Sequence, residues 1–122
     1  MDDSVATVAE LKQIVKNFSD VRDWDRFHGA KDLAIGIVTE ASELLQEFRF
    51  KSDAEVKAML EDSSMAEKIG DEIADTLYFL LQLSRKYNID LTKELQRKME
   101  KNAAKYPLEK SRGSNKRYSE LK

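Results

Sequence analysis

Residues 64–87 read SMAEKIGDEIADTLYFLLQLSRKY, and this segment carries apolar residues on nearly every side of a predicted helix. Glu72 falls in the same helical row as Met65 and Phe79, and Asp75 lies just outside that row. An unpaired carboxylate among such neighbours is strongly destabilising, or it becomes protonated. The segment therefore predicts a buried helix on which Glu72 binds a cation.

A second acidic pair, Glu40 and Glu43, lies on the helix predicted over residues 31–49. Residues three apart share a helical face, with Cβ atoms about 5–6 Å apart. Packed beside the helix of Glu72 and Asp75, this helix would bring as many as four carboxylates together. With 23 acidic residues in 122, roughly four pairs of this spacing are expected by chance, and most such pairs are solvated. The position of Glu72 on its helix is therefore what favours a metal site.

The composition predicts one all-helical domain, because the chain has 122 residues with a single Pro and four Gly. The absence of cysteine excludes disulfides, zinc–thiolate sites and cysteine nucleophiles. The sequence has no signal-peptide pattern and no apolar run near the ~20 residues of a membrane span, so we expect a cytoplasmic protein with no membrane partner. The net charge of −2 argues against binding a nucleic-acid polymer.

Hydrophobic periodicity predicts four principal helices and one short helix, over residues 4–22, 31–49, 52–60, 64–87 and 91–105. Four principal helices with short connections predict an all-α, four-helix bundle. We expect the catalytic domain to span residues 1–107 and a basic tail to span 108–122, either flexible or ordered by a ligand or partner. Because one helix is apolar nearly all round, we expect a homodimer or a homotetramer built as a dimer of dimers.

Local signals predict where the helices begin. Asp3 or Ser4 can cap the first helix, and capping boxes begin at Ser52 and at Ser64. Asp90 is expected to cap the last helix. These residues fix the expected boundaries to within a turn.

Carboxylates without cysteine or a second histidine form an all-oxygen donor set, which suits Mg²⁺, with Mn²⁺ as a substitute. The competing di-iron site of helical bundles needs Glu-x-x-His on two helices, and neither acidic pair has the histidine. A metal site facing a polyphosphate predicts phosphoanhydride hydrolysis, with a free carboxylate taking a proton from the attacking water. The chain has no Gly-rich phosphate loop. The available phosphate donors are Lys31, Lys98, Asn102, Tyr106 and Arg112.

The segment between the first two helices holds Trp24, Phe27 and His28, which include the only Trp and the only His of the chain. Aromatic residues on a connecting segment are either core anchors or a stacking platform for a flat ring such as a nucleobase. The pattern leaves both interpretations open.

Six blocks of residues carry a family resemblance, and they cover nearly the whole chain from residue 20 onward. The blocks are Arg22-Asp23-Trp24-x-x-Phe27-His28, Leu33-Ala34, Glu40-x-x-Glu43-Leu44, Glu72-x-x-Asp75, Lys98-Met99-x-x-Asn102-x-x-Lys105-Tyr106-Pro107 and Ser111-Arg112-Gly113-Ser114-x-x-x-Tyr118. Together they resemble the MazG-like, all-α nucleoside triphosphate pyrophosphohydrolases, in particular the dCTP pyrophosphatase branch.

The resemblance implies hydrolysis of a (deoxy)nucleoside triphosphate to monophosphate and pyrophosphate, for house-cleaning of the nucleotide pool. It implies Mg²⁺ bound by the two acidic pairs, with Glu43 and Glu72 essential for catalysis. It places the base near Trp24, Phe27 and His28, and the phosphates near Lys31 and residues 98–106. It also implies a dimer or tetramer whose sites use residues from neighbouring chains.

Two departures from the family concern the expected base pocket. Phe50 stands where the dCTP branch has a Trp, and Phe79 stands where it has a Tyr. We expect both residues to contact the substrate, with the preference for cytosine left open. Two other hypotheses remain: a related bundle enzyme acting on dUTP or phosphoribosyl-ATP, and a non-catalytic helical oligomerisation module.

Overall fold

The computed structural model describes residues 1–121, which form α-helices and short 3₁₀ segments without a β-strand. The chain divides into two compact units, Met1–Asn88 and Ile89–Lys122. The α-helices are α1 (Val8–Asp20), α2 (Ala30–Phe48), α3 (Asp53–Glu61), α4 (Ser63–Lys86), α5 (Leu91–Lys105) and α6 (Leu108–Ser111). The all-α prediction is confirmed, whereas the predicted boundary between a catalytic domain and a tail stays a prediction.

The first helix begins later than its periodicity predicts. Thr7 is its N-cap: the Thr7 hydroxyl accepts a hydrogen bond from the backbone N–H of Glu10, whose carboxylate accepts one from the N–H of Thr7. This reciprocal pair satisfies two of the backbone donors that a helix start leaves free. The expected cap at Asp3 or Ser4 is therefore wrong, and Ser4 instead donates to the carboxylate of Asp2 in a preceding turn.

Two other cap predictions have different outcomes. Ser52 caps α3 in a capping box with Glu55, as predicted. The predicted box at Ser64 is wrong, because Asp62 caps α4 by accepting hydrogen bonds from the N–H groups of Ser64 and Met65. An aspartate placed two residues earlier thus starts the helix at Ser63 and satisfies donors of its first turn.

Helix α4 is the centre of the first unit, where it packs against α1, α2 and α3. The buried apolar side chains of this unit are Val15, Leu33, Ile69 and Leu81. Helices α2 and α4 run antiparallel, since Gly36 lies against Phe79 and, about three turns further along α2, Glu47 pairs with Lys68. This register sets the acidic pairs of the two helices side by side.

Apolar side chains stay exposed on α2 and α4 of the single chain, with exposed fractions from 42% to 68% for Ile35, Val38, Leu45, Ile73 and Leu80. The apolar sequence pattern predicts that α4 is buried on both sides. In the single chain, the exposed side chains named above form an apolar surface that no other described helix covers. The predicted homo-oligomer stays a prediction. Within residues 1–121, no helix combines the length and apolarity needed to cross a membrane.

The second unit begins with α5, whose N-cap is Asp90, as predicted; its carboxylate accepts a hydrogen bond from the N–H of Lys93. After Pro107 the chain forms the short helix α6, which lacks a periodic signal in the sequence. The rings of Tyr106 and Tyr118 meet edge to face at 6.3 Å, and Leu121 is buried in this unit.

Candidate active site

Three of the four predicted ligands form one acidic cluster in the first unit. Carboxylate oxygens of Glu40, Glu43 and Glu72 all lie within 4.8 Å of one another. Glu40 and Glu43 share a face of α2 because they are three residues apart, and the antiparallel register of α4 brings Glu72 opposite them. Side chains from two helices thus converge on one point.

Two oxygens of this cluster lack a hydrogen-bond partner. Oε2 of Glu40 and Oε2 of Glu72 are buried, and no protein atom of the described residues donates to either. Burial raises the pKa of Glu40, and a hydrogen bond with Glu43 raises it further, followed by the charges of Glu43 and Asp75. Burial likewise raises the pKa of Glu72, with the charge of Glu43 next in effect. The cluster therefore holds more negative charge than its protein surroundings compensate.

This donor set fits a hard divalent cation. Carboxylate oxygens are the ligands that Mg²⁺ and Mn²⁺ prefer, and a cation would satisfy the unpartnered oxygens of Glu40 and Glu72. Asp75 is exposed and lies outside the group of three, but it borders the same cavity as Glu40, and its charge acts on both Glu40 and Glu72. The structure thus brings three predicted ligands together and places the fourth beside them.

A fifth carboxylate adjoins the cluster, and the sequence pattern did not single it out for the site. Glu47 lies one turn after Glu43 on α2, and its charge contributes to the raised pKa of Glu72. Its carboxylate is 3.4 Å from the ammonium of Lys68 on α4, and the Glu47 side chain is only 14% exposed. This ion pair neutralises the charge of Glu47 and links α2 to α4 one turn beyond Glu43.

A cavity of about 380 Å³ lies beside the cluster. Apolar and aromatic side chains form most of its wall, and Glu40 and Asp75 border it on the acidic side. Its lining residues are Ile14, Val15, Phe18, Trp24, Glu40, Asp75, Tyr78 and Phe79. A concave apolar site of this size with a few polar groups at one side is typical of a small-molecule pocket.

Four aromatic rings follow one another along the cavity wall in edge-to-face contacts. Trp24 meets Phe18 at 5.7 Å between ring centroids, Phe18 meets Tyr78 at 5.9 Å, and Tyr78 meets Phe79 at 5.2 Å. Such packing favours fixed ring orientations. The cavity therefore presents a defined aromatic surface to a flat ligand.

The predicted base-binding residues divide into two groups. Trp24 and Phe79 line the cavity, and half-buried His28 meets the Trp24 ring edge to face at 6.1 Å. Phe27 is exposed with the guanidinium of Arg26 over its ring. Phe50 is 91% exposed and is not among the residues that line the cavity.

The predicted phosphate donors are divided between the two units, with Lys31 in the first and the other four in the second. Lys31, near the start of α2, borders a separate shallow depression with Ile35 and Val38. Lys98 and Asn102 are one turn apart on α5 of the second unit. In the same unit, Tyr106 is the C-cap of α5 and Arg112 is the C-cap of α6.

A polar network holds the Trp24 segment to α4. The guanidinium of Arg85 donates to both carboxylate oxygens of Asp25, at 2.8 and 2.5 Å, and its Nε donates to Oε1 of Gln82 at 2.7 Å. Gln82 in turn donates to the hydroxyl of Ser19 and the backbone oxygen of Val15. Arg85 lowers the pKa of Asp25 by donating these hydrogen bonds. Arg85 and Asp25 are 60 residues apart in the chain, so no local sequence pattern predicts the network.

A neighbouring cation completes this attachment. The ammonium of Lys86 donates to the backbone oxygen of Asp25 and to that of His28. The 3₁₀ turn Asp25–Phe27 is therefore tied to α4 at both of its ends. This arrangement fixes the segment from which Trp24 reaches the cavity.

Comparison with known proteins gives consistent matches. The sequence model of the MazG-like family matches residues 35–121. The dCTP pyrophosphatase 1 of Rattus norvegicus is 31% identical over 115 residues, which cover 94% of this chain and 68% of that protein. The Homo sapiens protein of the same name is 29% identical over the same shares of the two chains.

A solved structure supports the same grouping. The crystal structure of a pyrophosphatase from Archaeoglobus fulgidus matches with a TM-score of 0.77 at 36% identity, covering 88% of this chain and 98% of that one. The family match extends over more than half of the chain, and it includes both acidic pairs and the cavity residues of α4. The chain therefore belongs to the MazG-like family.

Proposed function

We propose that this protein hydrolyses a deoxynucleoside triphosphate, dCTP or a related dNTP, to the monophosphate and pyrophosphate in a Mg²⁺-dependent reaction. The observation that carries the proposal is the cluster of Glu40, Glu43 and Glu72, with two unpartnered buried oxygens, beside an aromatic cavity. Relatives named dCTP pyrophosphatase and pyrophosphatase support the reaction class. The biological role that follows is house-cleaning of the nucleotide pool.

The acidic cluster supplies the cation site in this proposal. Glu40, Glu43 and Glu72 hold Mg²⁺, with Asp75 as a further ligand, and Mn²⁺ can substitute because the donors are all carboxylate oxygens. When bound, the ion neutralises charge on the phosphate oxygens and on the departing pyrophosphate. The protein contributes a fixed geometry, since the ligands stand on two packed helices rather than on loops.

Proton transfer falls to the same side chains. Water attacks the α-phosphorus, the bond from that phosphorus to the bridging oxygen breaks, and pyrophosphate leaves with the electron pair. A carboxylate takes the proton of the attacking water. Glu43 suits this role because it is the exposed member of the cluster and lies within 4.8 Å of the other two.

The aromatic cavity is the site of the base in this proposal. The base stacks in the cavity against Trp24, Tyr78 and Phe79, because aromatic faces attract flat rings of any base. The side chains that the sequence predicts as phosphate donors stay predictions, namely Lys31, Lys98, Asn102, Tyr106 and Arg112. A homodimer or homotetramer would cover the exposed apolar side chains of α2 and α4.

A substrate panel tests the proposal. The protein is incubated with each dNTP, with dUTP and with phosphoribosyl-ATP, in Mg²⁺ or in EDTA, and pyrophosphate is measured separately from orthophosphate. We expect pyrophosphate and the monophosphate in equal amounts from at least one dNTP, in Mg²⁺ only. Release of orthophosphate, or no release from any dNTP, would overturn the proposal.

Matched variants test the role of the cluster. We expect Glu72→Gln to abolish pyrophosphate release, because it removes a charge that the cation requires. Glu67→Gln is the control, since Glu67 is an exposed acid on the same helix and lies outside the cluster. Equal activity of the two variants would contradict the assignment of Glu72.

A further inference from the structure

Gly36 occupies a helix interior where glycine is unfavourable. It lies on α2 one turn before Glu40, and glycine in a helix costs about 1 kcal/mol relative to alanine. A Cβ added at Gly36 would stand 2.5 Å from both Cδ1 and Cε1 of Phe79, well inside van der Waals contact. The missing side chain therefore provides the space in which the Phe79 ring lies against α2.

The chain contains an internal contrast to this site. Gly70 also lies inside a helix, on α4, but a Cβ added there would meet no atom within 4 Å. Both glycines are less favourable in a helix than alanine to the same degree. Only at Gly36 does the missing side chain allow another side chain to approach closely.

The contact at Gly36 controls a wall of the cavity. Phe79 lies one turn after Asp75 on α4, borders the cavity, and meets Tyr78 edge to face at 5.2 Å. A ring forced away from α2 must therefore move into the cavity or against Tyr78, which lines the cavity as well. Either movement reduces the space beside Glu40 and Asp75.

We propose that Gly36 is a positioning residue for the nucleobase: by lacking a side chain it lets the Phe79 ring lie flush against α2, and this sets the room that the cavity offers a nucleobase. The inference deepens the proposed function and rests on it for the identity of the ligand. Gly36 is not among the residues that line the cavity, so it acts through Phe79.

Steady-state kinetics test this role. With the best dNTP of the panel, we expect Gly36→Ala to raise KM about tenfold, the effect of one misplaced methyl group in an apolar pocket, while kcat stays within about twofold because the acidic cluster is untouched. Gly70→Ala is the control and should leave both constants unchanged. An unchanged KM in Gly36→Ala, or a loss confined to kcat, would overturn the proposal.

A double variant separates the cavity effect from a general disturbance of α2. In a Phe79→Ala background no ring meets the new methyl group, so adding Gly36→Ala should leave KM at the value of Phe79→Ala alone. A further rise in KM would show that Gly36 acts by another route. If Gly36→Ala alone fails to fold, these two Phe79→Ala proteins decide the matter, with equal KM supporting the proposal and unequal KM overturning it.

Fluorescence distinguishes failure of this inference from failure of the proposed reaction. Trp24 is the only tryptophan and lines the cavity, so its emission reports binding of the four deoxynucleoside monophosphates in EDTA. We expect weaker binding to Gly36→Ala than to the wild type and to Gly70→Ala. No hydrolysis by the wild type would overturn only the proposed reaction. Equal binding by all three proteins, or no response in any, would overturn the role of Gly36.

Discussion

Replacing Arg85 by alanine should destabilise the first unit more than any exposed charge substitution. The Arg85 side chain is only 9% exposed and donates three hydrogen bonds, two to Asp25 and one to Gln82. The Arg85→Ala variant removes all three hydrogen bonds at once. The carboxylate of Asp25 and the amide oxygen of Gln82 then no longer accept a hydrogen bond from this side chain.

The size of the effect follows from what each partner loses. Asp25 is 38% exposed and can regain water, so loss of its ion pair costs only about 1 kcal/mol. Gln82 is 2% exposed, and a buried acceptor that loses its donor costs about 1–3 kcal/mol. Together the loss amounts to about 3 kcal/mol, which for a chain of this length lowers Tm by about 10 °C.

Thermal unfolding followed by circular dichroism measures this loss. Arg97→Ala is the control, because the Arg97–Glu94 pair has both side chains about half exposed and should contribute under about 0.5 kcal/mol. A fall in Tm below about 3 °C for Arg85→Ala, or equal shifts for the two variants, would refute the view that the network attaches the Trp24 segment to α4.

Three further predictions concern pH, backbone strain and catalysis. Arg85 lowers the pKa of Asp25 below its ordinary 3.8, so the stabilisation is present above that value and is lost as pH falls through the folded pKa. The Tm difference between wild type and Arg85→Ala should therefore stay constant from ~pH 7 to ~pH 5 and narrow towards ~pH 3, and an unchanged difference at ~pH 3 would contradict it. Phe50 has a φ of 64° and is 91% exposed, so Phe50→Gly should raise Tm by about 3 °C by relieving about 1 kcal/mol of strain, and a lower Tm would show that the ring is packed. Glu43→Gln should reduce pyrophosphate release at least about 100-fold with an unchanged circular dichroism spectrum, whereas retained activity would remove Glu43 from the mechanism.

Local signals in the sequence predicted the starts of α3 and α5 because a cap depends on a few adjacent residues. Ser52 and Asp90 cap their helices as expected, since each accepts from a backbone N–H three residues later. At Ser64 the same rule failed because Asp62, two residues earlier, caps the helix instead. The competition between two adjacent cap signals is decided by local geometry that the sequence pattern does not contain.

The acidic cluster was predictable because spacing and helical position are both sequence properties. Glu40 and Glu43 share a helical face by their separation, and the apolar surroundings of Glu72 indicated its burial. The register between α2 and α4 then determines which acids meet, and it places Asp75 outside the group of three. Family resemblance, rather than spacing alone, indicated all four residues.

The supporting contacts could not be predicted, because they join residues far apart in the chain. Arg85 and Asp25 carry ordinary charges whose pairing depends on how the 3₁₀ turn sits on α4. Gly36 looks like a weak point of its helix until Phe79 is placed against it. Such contacts follow from tertiary packing, which overrides the local preferences that sequence patterns record.

We propose that the carboxylates of Glu40, Glu43 and Glu72 hold the divalent cation that accompanies a nucleotide's phosphates. A crystal structure with Mn²⁺ and the α,β-imido analogue of the preferred dNTP tests this proposal, because the anomalous signal locates the metal. We expect an anomalous peak within about 2.5 Å of these carboxylate oxygens, with the base in the cavity beside Trp24. A metal bound elsewhere, with these three side chains contacting only solvent, would contradict it.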